Sequence, residues 1–408
     1  MAPASPPPDE RVNAYAGLLA SPDVRRLILA STIARLPAAM LPLAILLLVV
    51  ETSGSIAAGG LIAGAFGLGR AAVSPPVGAL IDRAGQPRVL IVGSLVQAVF
   101  VVLLVTAARA HVNLVAVGAV AVAAGAASPP VQASLRALWP RLTTTAQRDA
   151  AYSFDATSQE LIWIFGPLLV AATLGISSAA TAVLAAALVG CLGVGLFAAT
   201  PASRDAPRSA SGRFALGALN VAGLRPLVAT SAGAGFAWGA LSFGVSALAV
   251  QLGQRQASGF LLAALSAGSI TGGLAYGAWR WRNTLITRYR ALLIACTVAA
   301  APMLFATSIA FALPAGFLAG LPLAPLYAAS YVLTGRIAQR DSMTEAFTWT
   351  SSAFAFGVAL GNGISGVAAQ SAGVHAAFGL ACLAPLAAWF VTPLIRDRGP
   401  AAEGAQAG

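Results

Sequence analysis

Four ionisable side chains are predicted to lie within the membrane in the first half of this sequence: Arg35, Arg70, Asp155 and Glu160. Charge inside a hydrocarbon layer is costly, so residues of this kind are rare there unless they have a use. A carboxyl group can take up and release a proton, and a guanidinium can hold a carboxylate or an anionic ligand. The chemistry that these residues indicate is therefore proton exchange and ion pairing.

Depth along the predicted helices pairs two of these residues. Arg35 and Glu160 each lie about 10 residues past the start of an apolar run, roughly 15 Å deep in a bilayer. We predict that they interact directly or through water, because pairing lowers the cost of burying each charge. Two roles stay open for Glu160: a proton-exchange site, or one half of a fixed structural ion pair. Asp155 is shallower, at a depth close to that of Arg70, which allows a second pair.

Neutral polar and aromatic side chains recur at helical spacing in the second half of the chain. Trp238 and Ser242 are four residues apart, as are Tyr327 and Tyr331, and Trp349 lies in the next apolar run. Rings combined with hydroxyl groups suit a ligand that is partly apolar and weakly polar. We predict that these residues line a substrate cavity; helix packing is the alternative role for such side chains in membranes.

The elements that must position these residues are membrane-spanning helices. Hydrophobic residues make up 58% of the 408 positions and charged residues only 9%, too few to cover a soluble protein of this size. Twelve apolar runs are each long enough to cross a bilayer as a helix. The predicted fold class is an all-α membrane protein. The runs cover roughly residues 25–50, 55–80, 89–108, 112–138, 151–176, 178–200, 225–250, 258–279, 289–307, 309–334, 346–371 and 375–395.

A weak internal repeat divides these helices into two halves. An offset of 199 residues aligns Gly78 with Gly277, and an offset of 195 aligns Pro130 with Pro325. The repeat predicts two pseudo-symmetric six-helix bundles in the same orientation. The predicted domains are a disordered cytoplasmic tail 1–23, an N-terminal bundle 24–200, a cytoplasmic linker 201–224, a C-terminal bundle 225–395 and a cytoplasmic tail 396–408.

The distribution of basic residues predicts the orientation. With twelve spans both termini lie on one side, and 20 of the 24 arginines fall on that side, whereas only Arg109 and Arg255 fall on the other. This asymmetry predicts cytoplasmic termini in a multi-pass protein of the cell membrane. The net charge of +11 is thereby explained by topology, and binding of nucleic acid is not expected.

Several classes of function are disfavoured by the composition. Cys191, Cys296 and Cys382 lie singly in three different apolar runs, without a C-x-x-C pair, so we expect neither a metal site nor a cofactor. The sequence holds no nucleophile–base pair and no G-x-x-x-x-G-K-[ST] phosphate loop. We therefore expect neither an enzyme nor an ATP-driven pump.

A charged segment lies between the second and third apolar runs and has the form G-x-x-x-D-R-x-G-x-x-R. Its defining residues are Gly78, Asp82, Arg83, Gly85 and Arg88. The segment resembles the loop between the second and third helices of major facilitator superfamily transporters. That resemblance implies two six-helix bundles that rock about a substrate site at the bilayer midplane.

The resemblance also implies a gating role for this segment. In the superfamily the aspartate meets the start of the eleventh helix in the outward-open state, which here is the region of Glu345. An acidic side chain near a helix N-terminus is favourable, so Asp82 is expected to hold the cytoplasmic side shut. The second-half copy of the segment has Trp281 at the position of Asp82, so one latch is predicted rather than a symmetric pair.

The Gly166-Pro167 pair resembles part of the fifth-helix motif of drug:proton antiporters in this superfamily, which favours efflux. The predicted function is alternating-access, proton-coupled efflux of a small amphipathic organic compound. One alternative is proton-coupled uptake or export of a small organic anion or sugar-like solute, anchored by Arg35 or Arg70. Another is a membrane sensor that does not transport. The expected partners are the substrate, protons and the lipid bilayer, and we expect a monomer.

Overall fold

The computed structural model describes residues 20–206, 221, 223–279, 281, 283–338 and 343–395. All regular secondary structure in these ranges is helical, and twelve spans are long and apolar enough to cross a membrane. The predicted twelve-helix fold is thus confirmed. The spans, numbered 1 to 12 in chain order, are Pro22–Ser53, Ile56–Ala84, Gln86–Arg109, a divided span Leu114–Ala126 and Val131–Leu142, Thr145–Ile176, Ala179–Ala199, Leu224–Gln251, Ala257–Ala278, Leu285–Ala300 with a 3-10 turn Ala301–Phe305, a divided span Ile309–Gly320 and Leu323–Ile337, Met343–Ala372, and Val374–Val391 with a 3-10 turn Thr392–Leu394.

Short polar residues set many of the helix starts. The side chains of Ser55, Asn113 and Ser178 each accept a hydrogen bond from a backbone N–H in the first turn of spans 2, 4 and 6. Span 5 begins with a reciprocal capping box between Thr144 and Gln147. This cap explains why span 5 starts at Thr145, six residues before the apolar run in the sequence.

Proline divides two spans at equivalent places in the two halves. Span 4 breaks at Pro129-Pro130 and span 10 breaks between Gly320 and Leu323, where Pro322 precedes the second helix. The breaks tilt the short helices Val131–Leu142 and Leu323–Ile337 independently of the segments before them. Both short helices carry residues of the candidate site described below.

The charged segment at 78–90 is a tight turn between helices and not the loop predicted from the sequence. Span 2 continues to Ala84 and span 3 begins at Gln86, so Gly85 alone connects them. Gly85 has φ +94°, a conformation that residues with a Cβ avoid. The requirement for glycine in this motif is therefore explained by the backbone.

The two halves meet on the side of the bundle away from the chain termini, which we call the opposite side; the side that carries residues 22 and 395 is the terminal side. Gly60 and Gly64 of span 2 pack against the backbone of span 11, and Gly259 of span 8 packs against Pro167 of span 5. Arg70, one turn beyond Gly67 on span 2, has its backbone against Gly125 of span 4, and its side chain is exposed. The halves are therefore closed on the opposite side and open toward the terminal side.

The predicted linker 201–224 is only partly described. A short helix, Pro201–Arg204, follows span 6, and residues 207–220 lie outside the described ranges. The two predicted tails, 1–23 and 396–408, lie almost wholly outside them as well.

Candidate functional site

One buried carboxylate lies between two guanidinium groups in the N-terminal half. The Nη1 atom of Arg35 donates to Oδ1 of Asp155 at 2.6 Å, and Nε of Arg136 donates to Oδ2 of the same carboxylate at 2.7 Å. Arg35 also donates to Oε1 of Gln159 at 2.8 Å. Spans 1, 4 and 5 are thus joined by one cluster, which we call the arginine–aspartate cluster: Arg35, Arg136, Asp155 and Gln159.

The cluster is unevenly exposed. The side chains of Arg35 and Asp155 are 4% and 0% exposed, whereas that of Arg136 is 47% exposed. A single carboxylate cannot neutralise two guanidinium groups, so the cluster carries a net positive charge. Because Arg136 is its exposed member, this surplus charge faces the open space between the halves.

The predicted direct pair of Arg35 with Glu160 is wrong for this conformation, since Arg35 pairs with Asp155 instead. Helical rise gave the depth of each residue but not its direction around the helix axis. Asp155 and Gln159 are four residues apart and share one face of span 5, toward Arg35, whereas Glu160 points about 100° away from Gln159. Arginine side chains in helices also lean toward the helix N-terminus, which carries the guanidinium down to the level of Asp155.

Glu160 and Arg70 are placed apart from this cluster. Glu160 is half-buried and makes neither an ion pair nor a hydrogen bond with any residue that the structure describes. Arg70 is exposed and is not within ion-pair distance of Asp155, so the second pair that their depths allow is not formed here. The structure thus leaves one carboxyl and one guanidinium near the cleft without a salt bridge in the described part of the chain.

Arg136 is the functional candidate that the sequence reasoning missed. It was counted among the arginines of terminal-side loops, although it falls inside the apolar run 112–138. The signal that could have found it is the Pro129-Pro130 break, which starts a new helix with Arg136 on its second turn.

Aromatic residues of the C-terminal half face the cluster across the cleft. The phenol oxygens of Tyr327 and Tyr331 are 2.8 Å apart, and both phenols lie within electrostatic range of the Arg136 guanidinium. Phe354 packs edge-on against Tyr327, with ring centroids 4.7 Å apart, and Phe347 stacks on Tyr331 at 5.6 Å. These four rings, Tyr327, Tyr331, Phe347 and Phe354, form what we call the aromatic wall.

The repeat explains why these two groups face each other. The offset of 195 residues that relates Pro130 to Pro325 also relates Arg136 to Tyr331 and Asp155 to Thr350. Thr350 hydrogen-bonds to Thr334 at 3.1 Å and is buried. The C-terminal half therefore has hydroxyl groups at the positions where the N-terminal half has an ion pair.

The remaining predicted cavity residues are placed as follows. Trp238 packs edge-on against Trp163 of the other half, with ring centroids 6.2 Å apart. The hydroxyl of Ser242 donates to the carbonyl oxygen of Trp238, which satisfies it within its own helix. Trp349 is half-buried on span 11. Trp238 therefore belongs to the contact between the halves, and Ser242 has the local role that helix packing predicts.

The gating residues are described in part. Arg83 and Arg88 are exposed at the terminal side, on either side of the turn at Gly85. The backbones of Gly78, Asp82 and Glu345 are helical, but their side-chain surroundings lie outside the described part of the structure. The proposed latch stays a prediction.

The Gly166-Pro167 pair lies where three spans meet. A Cβ at Gly166 would be 2.6 Å from the Cβ of Ala39 on span 1, and the carbonyl oxygen of Pro167 lies against Gly259 on span 8. The pair thus permits close approach both within the N-terminal half and between the halves.

Comparison with known proteins is consistent with this architecture. A sequence profile described as the Major Facilitator Superfamily matches residues 27–314. No protein of curated function matches the sequence. Among solved structures, the nucleoside transporter NupG has a TM-score of 0.71 at 13% identity, covering 92% of this chain and 100% of that one. A bacterial homologue of the human lysosomal transporter Spinster, inward-facing and occupied, has a TM-score of 0.70 at 14% identity, covering 92% and 97%. The human organic anion transporter TETRAN has a TM-score of 0.59 at 17% identity, covering 95% and 100%. At these identities the likeness shows the fold alone.

Proposed function

Because this chain belongs to the Major Facilitator Superfamily and is a membrane transporter rather than an enzyme, we propose that it moves a small amphipathic organic anion by proton-coupled alternating access. The choice of an anion rests on the arginine–aspartate cluster, in which one carboxylate forms ion pairs with two guanidinium groups. The sequence alone favoured an amphipathic compound of unspecified charge and kept organic anions as an alternative. The charge of the cluster reverses that order.

Arg136 is the proposed anchor for the anionic group of the cargo. Its side chain is half-exposed and faces the cleft, and it can hold a carboxylate through charge-assisted hydrogen bonds. The arriving anion would compete with Asp155 for the guanidinium, while Asp155 keeps its bond to the buried Arg35. Arg70, which is exposed on span 2 of the same half, is proposed as a second positive charge that attracts the cargo.

The aromatic wall is proposed to hold the apolar part of the cargo. Its rings present apolar faces, and the phenols of Tyr327 and Tyr331 offer hydrogen bonds without adding charge. Arg136 belongs to one half and these phenols to the other, and the proposed ligand contacts both. Such bridging is what couples cargo binding to movement of the halves.

We assign the terminal side to the cytoplasm, as the arginine distribution predicts. The open cleft then faces inward, and the state described here is the one that loads or releases cargo at the cytoplasmic face. Efflux stays the proposed direction, on the resemblance carried by Gly166-Pro167. The wall alone would also suit an uncharged amphipathic cargo, which is the second candidate.

Arg136→Gln is expected to raise KM for a carboxylate cargo by about 10- to 100-fold, because a hydrogen bond to a charged group contributes about 1.5–3 kcal/mol. The assay uses purified protein in proteoliposomes with an imposed pH gradient, and compares carboxylates with their neutral amides. The matched control is Arg141→Gln, on the same short helix, whose guanidinium donates to the Asp205 carbonyl oxygen in solvent. Equal transport of amides and carboxylates by the unmodified protein would rule out the anion proposal and favour the uncharged cargo.

Glu160→Gln is expected to abolish accumulation driven by the pH gradient while leaving exchange of cargo across the membrane intact. A half-buried carboxyl group without an ion-pair partner among the described residues is suited to gain and lose a proton as the halves move. Glu51→Gln, which neutralises an exposed carboxylate on the opposite side, is the control. Unchanged accumulation in the Glu160 variant would show that the proton is carried elsewhere or that the transporter is not proton-coupled.

A further inference from the structure

The connection between spans 8 and 9 differs from its counterpart in the first half. In the first half a single glycine joins spans 2 and 3, whereas residues 279–284 separate Ala278 from Leu285. This connection reads Trp-Arg-Trp-Arg-Asn-Thr, and Trp281 stands where the repeat places Asp82. A carboxylate suited to a contact between the halves has been replaced by an indole.

Three aromatic rings are held together at this connection. The Nε1 atom of Trp281 donates to the carbonyl oxygen of Tyr276 at 2.9 Å, and the two rings lie 4.9 Å apart. The ring of Trp279 lies 6.4 Å from that of Trp281. Trp279 is 70% exposed and Trp281 is 40% exposed, so this group presents indoles outward in a fixed arrangement. We call Tyr276, Trp279 and Trp281 the aromatic corner.

One guanidinium group borders the corner on the first turn of span 9. Arg288 lies over the ring of Trp281 at 5.9 Å, and its buried Nε has no hydrogen-bond partner in the described part of the chain. Arg290, two residues further along and therefore on the other side of span 9, lies over the ring of Trp389 at 4.9 Å instead. Neither guanidinium has a carboxylate within 4.0 Å among the described residues, and the sequence holds no Asp or Glu from 206 to 340.

From this arrangement we infer that the aromatic corner, with Arg288, binds the headgroup of an anionic phospholipid in the leaflet at the terminal side. Tryptophan and tyrosine are favoured at the depth of the headgroups. Arginines just beyond the hydrocarbon attract anionic lipid, and a guanidinium matches the geometry of a phosphate. Trp281 stands at the position of Asp82, so this connection contributes no acidic side chain of its own to compete with the lipid.

The test measures tryptophan quenching in nanodiscs made from phosphatidylcholine and a fixed fraction of phosphatidylglycerol, with brominated acyl chains on one lipid or the other. The fluorescence of the corner is obtained by subtracting the fluorescence of the Trp279→Phe/Trp281→Phe variant from that of the unmodified protein, with each brominated lipid in turn. We expect the corner to show an enrichment of phosphatidylglycerol over its bulk fraction of about threefold to fivefold. Arg288→Gln should bring the enrichment to about one, whereas Arg109→Gln, on the opposite side, should leave it unchanged.

A salt series tests the same inference on the unmodified protein, so its result does not depend on whether any variant folds. Raising the ionic strength should reduce the enrichment, since the attraction of exposed charges is screened. Inorganic phosphate and chloride should act alike at equal ionic strength. The inference is overturned by an enrichment of one in the unmodified protein, by an enrichment that survives Arg288→Gln, or by phosphate displacing the lipid where chloride does not.

Discussion

Asp155→Asn is expected to abolish transport and to lower the free energy of unfolding by about 3–5 kcal/mol, as for other buried ion pairs that lose one partner. The reason is the environment of Arg35, whose guanidinium is 4% exposed and would keep Gln159 as its principal acceptor. Arg136 is half-exposed and can turn to water, but Arg35 cannot. The measurement is unfolding by SDS in mixed micelles, followed by circular dichroism, together with transport in proteoliposomes.

The double variant Arg35→Gln/Asp155→Asn separates stability from function. Removing both charges should recover most of the lost stability, to within about 1–2 kcal/mol, because two neutral amides cost less to bury than an unpaired guanidinium. Transport should stay impaired, since Arg136 would no longer be positioned by a carboxylate. Glu51→Gln breaks an exposed ion pair and should cost less than about 1 kcal/mol. If Asp155→Asn unfolded at the same SDS fraction as the unmodified protein, the cluster would have to be hydrated rather than buried.

The spans could be predicted from the sequence because their length is set by the bilayer and not by tertiary contacts. The predicted run 225–250 is observed as Leu224–Gln251, and 178–200 as Ala179–Ala199. Span 5 departs most because its first residues are polar yet still helical, held by the Thr144 cap. Hydropathy indicates which part of a helix lies in the hydrocarbon layer, whereas capping residues indicate where the helix begins.

The partners within the candidate site could not be predicted with the same success. Rise per residue fixed the depth of Asp155 and Glu160, but the choice between them depends on how span 5 is rotated against span 1. That rotation depends on close packing, such as Gly166 against Ala39, which a single sequence does not reveal. The asymmetry between the halves was predictable, since the counterpart of Asp155 is Thr350 in the sequence itself.

Gly64→Val is expected to reduce transport severely by preventing closure of the opposite side. A Cβ at Gly64 would lie 2.7 Å from the carbonyl oxygen of Ala359 and 3.2 Å from the backbone nitrogen of Gly363. Because these contacts are to backbone, no side-chain rotation relieves them, and spans 2 and 11 must separate. Overpacking of this kind costs about 1–3 kcal/mol, which would shift the ratio of closed to open conformations by roughly 5- to 150-fold.

A crosslink between the halves reports this shift directly. Oγ of Ser55 and Oε1 of Gln370 are 3.5 Å apart, at the ends of spans 2 and 11 that lie on the opposite side of the bundle. Ser55→Cys/Gln370→Cys, in a background where Cys191, Cys296 and Cys382 are replaced by alanine, should be joined readily by a short bifunctional thiol crosslinker, because the Gln370 side chain is longer than that of cysteine. Adding Gly64→Val should suppress the crosslink and the transport together, because every transport cycle passes through the state that is closed on this side.

Gly379→Val is the matched control, since a Cβ at this helical glycine of span 12 meets nothing within 4 Å. It should leave both crosslinking and transport unchanged, which separates the effect of the contact from that of a valine in a membrane helix. Gly64→Ala should fall between the two, and it serves as the test if the valine variant does not fold. Full transport by Gly64→Val with a normal crosslink would show that the backbones of spans 2 and 11 can separate at Gly64 without opening the opposite side, and the close approach seen here would then have no role in gating.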